Sequence, residues 1–306
     1  MIQEIYPKKL YNQYDVREPE KCSYIVFVSG NKLLCKTDGD KLIMPTCAEA
    51  FPAGAFDKTA SKEAADKECE KCRYLLRIDN DMFFYSQDTD AQSALRSAGY
   101  EYHTIKELRT TGPGWLRFGA LTAYSYAAWY DKNRYCGRCG ALMKHCETER
   151  AVICQNCGNL IYPKICPVVI VGVIHDDTIL LTKYKDRMRF DKYALIAGFA
   201  EIGETIEETV SREVFEETGI RVKNLRFYKS QPWAFSDSLL MGFFCEPDGD
   251  EGPHPDGIEL GFADWMTRDQ VPAMQDDVAL TAEMMDLFKR KGRKVLEGDF
   301  GMNCTV

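Results

Sequence analysis

The sequence predicts an α/β chain: an α/β sandwich on a mixed sheet, preceded by a small cysteine module and an N-terminal α+β section. Three observations carry this. Strongly apolar strand-like runs such as Val168–Ile174 alternate with two helical patterns after residue 166. Two Cys-x-x-Cys pairs stand together ahead of them. Before those, short strand and helix signals mix without order. The predicted boundaries are 1–131, 132–165 and 166–306.

In the first section, Tyr24–Val28, Lys32–Cys35 and Tyr74–Ile78 are rich in β-branched, aromatic and leucine residues and read as strands. Asp90–Ser97 reads as a short helix. Trp115, Phe118, Leu121, Tyr124, Ser125, Ala128 and Trp129 fall on one face of a longer one. No chemical motif is visible before residue 131.

From Cys166 on, Val168–Ile174 and Thr178–Thr182 form a hairpin about the Asp176-Asp177 turn. Tyr193–Ile196 is a short strand leading to Gly198. A helix from Glu204 to Thr218 closes at Gly219, a residue suited to the left-handed C′ position. Leu225–Lys229 and Ser238–Cys245 are strands, and Asp277–Lys291 is the last helix.

Composition limits the function. The 306 residues carry a net charge of −8, unlike a general nucleic-acid binder. The basic residues Lys289, Arg290, Lys291, Arg293 and Lys294 read as a solvated helix end. No apolar run approaches the roughly 20 residues of a membrane span, and the N-terminus has no apolar signal core. A soluble, cytoplasmic protein is expected. Thirteen cysteines, an odd number without a secretion signal, favour metal binding and buried thiols over disulfides.

Cys136, Cys139, Cys154 and Cys157 form two Cys-x-x-Cys pairs separated by fourteen residues, each followed by a glycine. Four thiolates at this spacing fit one tetrahedral zinc. With every position taken by sulfur, the ion is structural rather than catalytic. A nucleic-acid-binding ribbon is the alternative reading, though the flanks are not strongly basic. Cys69 and Cys72 make a third pair without a partner, readable as two thiols on a helical turn or as a redox or metal site. Cys22, Cys35, Cys47, Cys166 and Cys245 read as packing residues.

The helix from Glu204 carries the chemistry. At about 100° per residue, Glu213, Glu216 and Glu217 share an arc of about 100°. Val210 and Val214 lie to one flank, free to bury. Three like charges on one face repel unless cations neutralise them. Carboxylates are hard ligands suited to Mg²⁺ or Mn²⁺, ions that often share their shell with phosphates. Arg212 can fork onto neighbouring carboxylates and hold their rotamers. Such a face points to phosphoryl or pyrophosphate chemistry.

Gly198, Glu204, Arg212, Glu213, Val214, Glu216, Glu217, Gly219 and Ile220 together fill a 23-residue pattern that resembles the Nudix box, G-x5-E-x7-R-E-U-x-E-E-x-G-U with U bulky and apolar. The resemblance implies an α/β/α sandwich around a mixed sheet, and hydrolysis of a nucleoside diphosphate linked to another group. Ser230–Leu239 (SQPWAFSDSL) looks like the array marking the NADH pyrophosphatase subfamily, with Ala234 and Ser236 in place of its two later prolines. The preceding cysteine module matches that subfamily too.

By resemblance, Gln231, Pro232, Trp233 and Ser238 shape a dinucleotide pocket, and Phe199 and Tyr162 stack on bases. Glu259 adds a metal carboxylate outside the helix. The implied reaction splits NADH or NAD⁺ into NMN(H) and AMP with Mg²⁺ or Mn²⁺. Removal of NAD caps from RNA 5′ ends, or broader hydrolysis of nucleoside diphosphates, is the alternative. The subfamily resemblance also implies a homodimer. The family's alanine near the last helix, whose backbone touches substrate, is assigned here to neither Ala279 nor Thr281.

Overall fold

The computed structural model describes residues 1–52, 71–185, 192–273 and 278–298. The chain divides into two compact units, Ile2–Lys164 and Met1 with Ile165–Val306. Among the described residues no helix is long and apolar enough to cross a membrane.

In the first unit, strands β1 (Leu10–Tyr11), β2 (Tyr24–Val26), β3 (Val28–Ser29), β4 (Lys32–Asp38) and β5 (Lys41–Ile43) lead to helix α1 (Cys47–Ala50). Strands β6 (Cys72–Ile78) and β7 (Asp81–Ser86), helix α2 (Thr89–Ser97) and strand β8 (Glu101–Thr104) follow. They make two four-stranded sheets, β1-β6-β7-β2 and β3-β4-β5 with β8 on β4. Helix α3 (Gly114–Lys132) touches β2, β3, β6 and β7, so it lies against both sheets. That explains why it is buried well beyond the single face that its periodicity predicts, Ala120, Ala123, Ala127 and Tyr130 included. A Cβ on Gly119 would lie 2.8 Å from the Phe83 ring, so glycine lets the helix sit that close.

The unit ends in a three-stranded sheet, β11 (Leu160–Ile161), β10 (Val152–Cys154) and β9 (Met143–His145). Its two knuckles turn at Gly140 and Gly158, with φ of 73° and 72°, a region open to glycine without strain.

The second unit is built on a six-stranded mixed sheet. Its strands are β12 (Cys166–His175), β13 (Thr178–Tyr184), β14 (Ile196–Phe199), β15 (Val222–Trp233), β16 (Ser238–Pro247) and β17 (Leu260–Thr267). Their order is β15-β16-β12-β13-β17, with β14 also on β12. β12 runs parallel to β16 and antiparallel to β14.

The unbroken apolar run of β12 follows from its burial on both faces. Val168, Ile170 and Ile174 pack with Leu280, Met284 and Phe288 of helix α5 (Leu280–Lys291). Val169, Val171 and Val173 pack with Val210 and Val214 of helix α4 (Ile206–Thr218). The result is the α/β/α sandwich that the resemblance implies.

Several elements differ from the sequence reading. The strand expected at Tyr193–Ile196 lies at Ile196–Phe199, because it pairs Phe199 with Val168 and Gly198 with Val169. β15 runs on to Trp233, held along β16 past two irregularities in register. β1, β5, β7, β8 and β17 and the short helix α1 were not foreseen. The last helix begins at Leu280, and Asp277 lies outside the described residues, as does Cys69. Cys72 is a buried strand residue, and Cys22 is exposed rather than packed.

Candidate active site

The box residues meet at the start and face of α4. The helix opens with a capping box: the Glu208 N–H donates to Thr205 Oγ1 at 3.2 Å, and the Thr205 N–H donates to Glu208 Oε2 at 2.7 Å. It closes at Gly219, with φ 73°. Because Thr205 caps the helix, Glu204 stays outside it and turns back onto Arg212.

That arginine is the hub of the site. Its Nε and Nη2 donate to Glu204 Oε1 and Oε2 at 2.5 and 2.9 Å. Nη1 donates to Glu213 at 2.7 Å and Glu216 at 3.0 Å, and Nη2 also donates to the Phe199 carbonyl at 2.9 Å. One planar fork thus fixes three carboxylates and the end of β14. The hydrogen bonds from Arg212 pull the Glu204 pKa down to about 2.

Gly198 is required at the other side. A Cβ there would stand 1.9 Å from Glu213 Cδ and 2.1 Å from either oxygen. The Glu213 carboxyl lies directly on the β14 backbone, and only glycine leaves it room.

Glu217 is 6 % exposed. Burial, then the charges of Glu259, Glu213, Asp256 and Glu216, push its pKa up to about 8. Glu213 is also raised, by burial first, even though Arg212 opposes the shift. The Glu217 carboxyl makes no hydrogen bond or ion pair among the described residues, and neither does that of Glu259.

Glu259 reaches this face through a turn that the sequence reading missed. Asp256 Oδ1 accepts the N–H groups of Ile258, Glu259 and Leu260 at 3.1, 3.1 and 2.9 Å. The Asp256 N–H donates to the Glu217 carbonyl at 3.1 Å, and the His254 N–H to that of Thr218 at 2.8 Å. Burial would raise the Asp256 pKa, but the three N–H groups outweigh it and lower it. Lys185 closes the turn from behind, its N–H on the Glu259 carbonyl at 2.9 Å and its Nζ on that of Gly257 at 2.5 Å. The only sequence signal for this role was an aspartate two residues before an Ile-Glu-Leu run, the habit of Asx turns.

A divalent cation fits these groups. Carboxylates gather on one face, and two of them, Glu217 and Glu259, make no ion pair among the described residues. They are not drawn as tightly as the thiols. Among the described residues, only Cys136, Cys139, Cys154 and Cys157 bring their ligand atoms within 4.8 Å of one another. Wider spacing suits Mg²⁺ or Mn²⁺, which keep waters of their own. The thiol set suits tetrahedral zinc: Cys136 and Cys157 Sγ lie 3.6 Å apart, Cys139 and Cys154 Sγ 3.5 Å.

The expected pocket residues are placed as follows. Phe199 is 53 % exposed, beside the hub, and Pro232 is exposed on β15. Trp233 is half-buried against the Phe235 ring at 4.7 Å. Ser238 is buried and bonds to Ser236 at 2.9 Å. Gln231 is fully buried: its Nε2 donates to the Val278 carbonyl, and its Oε1 accepts from the Leu280 N–H, each at 2.7 Å. Its amide therefore ties β15 to the start of α5. Tyr162, in the first unit, is 51 % exposed and donates its hydroxyl to Glu149 at 3.1 Å.

A carboxylate face on a helix packed against a mixed sheet, with its glycine, arginine and glutamates in these positions, is the arrangement that the Nudix resemblance implies. A family model described as the NUDIX domain matches residues 166–288, and one described as the NADH pyrophosphatase zinc ribbon domain matches residues 131–162. Residues 166–288 are thus a Nudix domain, preceded by that zinc ribbon.

The chain is 46 % identical over 146 residues to a protein of Photorhabdus laumondii, and 44 % over 148 residues to one of Pectobacterium carotovorum, both named NAD-capped RNA hydrolase NudC. These matches cover 48 % of this chain and 56 % of either relative, so the chain spans about half the length of the curated relatives it matches. A crystal structure of a NUDIX hydrolase from Nitrosomonas europaea is similar over 52 % of this chain and 91 % of that one, with 21 % identity and a TM-score of 0.45.

Proposed function

We propose that the chain hydrolyses the diphosphate of NAD(H), giving NMN(H) and AMP. The observation that carries this reading is the pair of uncompensated carboxyls, Glu217 and Glu259, beside the Arg212-fixed Glu213 and Glu216. Glu213, Glu216, Glu217 and Glu259 would hold Mg²⁺ or Mn²⁺. Bound there, such ions supply neutralisation of the diphosphate charge and a more acidic water.

The chain's own groups do the rest. Arg212 keeps Glu213 and Glu216 in fixed rotamers, and Gly198 admits the Glu213 carboxyl. Glu217, shielded from solvent and crowded by Glu259 and Glu213, would gain most from a bound cation, which would hold it as the carboxylate. Attack by water oxygen on phosphorus forms one P–O bond as the anhydride P–O bond breaks, and the leaving phosphate takes the electron pair. Phe199 offers an exposed ring to a base, with Pro232, Trp233 and Ser238 in the array of the same unit; Tyr162, in the first unit, offers another exposed ring. Zinc at the four cysteines would fold the ribbon and take no part in hydrolysis. We further propose that the chain is cytoplasmic and acts as a homodimer, with sections at 1–131 and 132–165 and the catalytic part at 166–306.

Removal of NAD caps from RNA is the second reading, favoured by the names of the relatives above. It breaks the same bond.

The test is incubation of purified chain with NADH, NAD⁺, ADP-ribose and NAD-capped RNA, with Mg²⁺, Mn²⁺ or neither, and products identified by mass. NMN(H) and AMP should appear only with the divalent ion, and Glu217→Gln should nearly abolish them while leaving the fold intact. Turnover without divalent ions, or near-normal turnover by that variant, overturns the reading. A rate on capped RNA that falls steeply with salt, while the NADH rate does not, identifies RNA contacts.

A further inference from the structure

We infer that the first unit holds a second ligand site, a cavity for a nucleoside monophosphate that takes no part in the hydrolysis proposed above. The cavity is an open surface cleft of about 590 Å³, room enough for a small molecule, with Lys144, His145 and Glu147 exposed along it. Three distant pieces of sequence line it. β6 brings Arg73, β9 brings Lys144 and His145, and the N-terminal segment brings Tyr14. The Tyr14 hydroxyl is fixed by donating to the Cys146 carbonyl at 3.1 Å.

Arg73 is half-buried, yet makes no hydrogen bond or ion pair among the described residues. A guanidinium partly withdrawn from water without an anion is costly, and its fork matches a phosphate. A second guanidinium lies in the same neighbourhood. Arg150 donates through Nη2 to the carbonyls of Asn12 and Leu75 at 3.1 and 2.8 Å and lies 4.1 Å from the Tyr126 ring centroid, while its buried Nη1 has no hydrogen-bond partner among the described residues. Both charges act on Tyr130. Against Arg73 and Lys144 the cavity wall sets one acid, Glu147.

The rings supply the other half of the recognition. His145 stands edge-on to Tyr130 at 4.8 Å, and Tyr130 stacks on Tyr85 at 5.9 Å. Loss of water against that ring, together with the Arg73 charge, lowers the His145 pKa to about 4, although part of the residue stays open to solvent. A neutral imidazole and a phenol on the wall give a base two rings to pack against, while the cations take its phosphate.

The experiment is photolabelling of the full chain with 8-azido-AMP, with peptides mapped by mass. Label is expected on the peptides holding Tyr14 or residues 143–147, competed away by AMP. Arg73→Gln and Lys144→Gln should each cut it about tenfold, as loss of a charge-assisted hydrogen bond implies, and NADH turnover should be unchanged. Lys144→Gln alone keeps the test valid if the arginine variant misfolds. Label confined to residues 165–298 overturns the site. So does label unaffected by either substitution, or equal labelling by 8-azidoadenosine, which lacks the phosphate. Because turnover is read separately, failure here is distinct from failure of the proposed hydrolysis.

Discussion

Gly198 and Glu217 show how much a single position decides. Gly198→Ala would drive a methyl into the Glu213 carboxyl, 1.9 Å from its Cδ. The side chain must swing away, and an ångström of displacement in a reacting site costs about 100-fold. NADH turnover by that variant should fall about 100-fold, with the far-ultraviolet spectrum unchanged.

Glu217 makes a prediction about pH. Its folded pKa of about 8 stands above the ordinary 4.5, so the folded chain keeps a proton that the unfolded chain releases. Stability is therefore full at acid pH and falls as pH rises from about 4.5 to about 8. Without divalent ions, Glu217→Gln should raise the urea midpoint at pH 8.5, by roughly 2–4 kcal/mol of stability. At pH 4.5 it should change nothing. A gain at acid pH would contradict the burial argument.

At the scale of elements, the acid turn after β16 matters as much as the helix it faces. Asp256→Ala removes the acceptor of three N–H groups and should free Glu259 from the helix. The Mg²⁺ concentration for half-maximal NADH hydrolysis should rise about tenfold, while Asp256→Asn, which keeps an acceptor oxygen, should restore most of it.

Helical spacing put Glu213, Glu216 and Glu217 on one face, and the 23-residue pattern around them set that face apart from a merely solvated acidic one. The turn was not legible. Asp256 works by accepting backbone N–H groups, which leaves no periodic trace. β17 (LGFADWMT) mixes apolar and polar residues without strict alternation, so it too escaped. Gln231 was read as a pocket residue from its place in an array. Its buried amide, bonded to backbone at both ends, could be found only once β15 and α5 were side by side.

For the whole molecule, the ribbon shows why composition alone was informative. Its three strands bury few apolar side chains, Met143 and Val152 among them, so a metal must stand in for a core. Native mass spectrometry should find one zinc per chain. Cys154→Ser should lose it and leave the amides of residues 134–161 open to hydrogen exchange. The cavity of the first unit, by contrast, joins residues 14, 73 and 144–147. No local pattern links them, so only the fold reveals it.

The carbonyls of Glu217 and Thr218, at the end of α4, accept from Asp256 and His254. Unravelling of that last turn and departure of the Glu259 segment are therefore a single event. Deuterium uptake at the amides of residues 254 and 256 would serve as a gauge of how often the cradle comes apart, and any ligand that bridges helix and segment should slow both together.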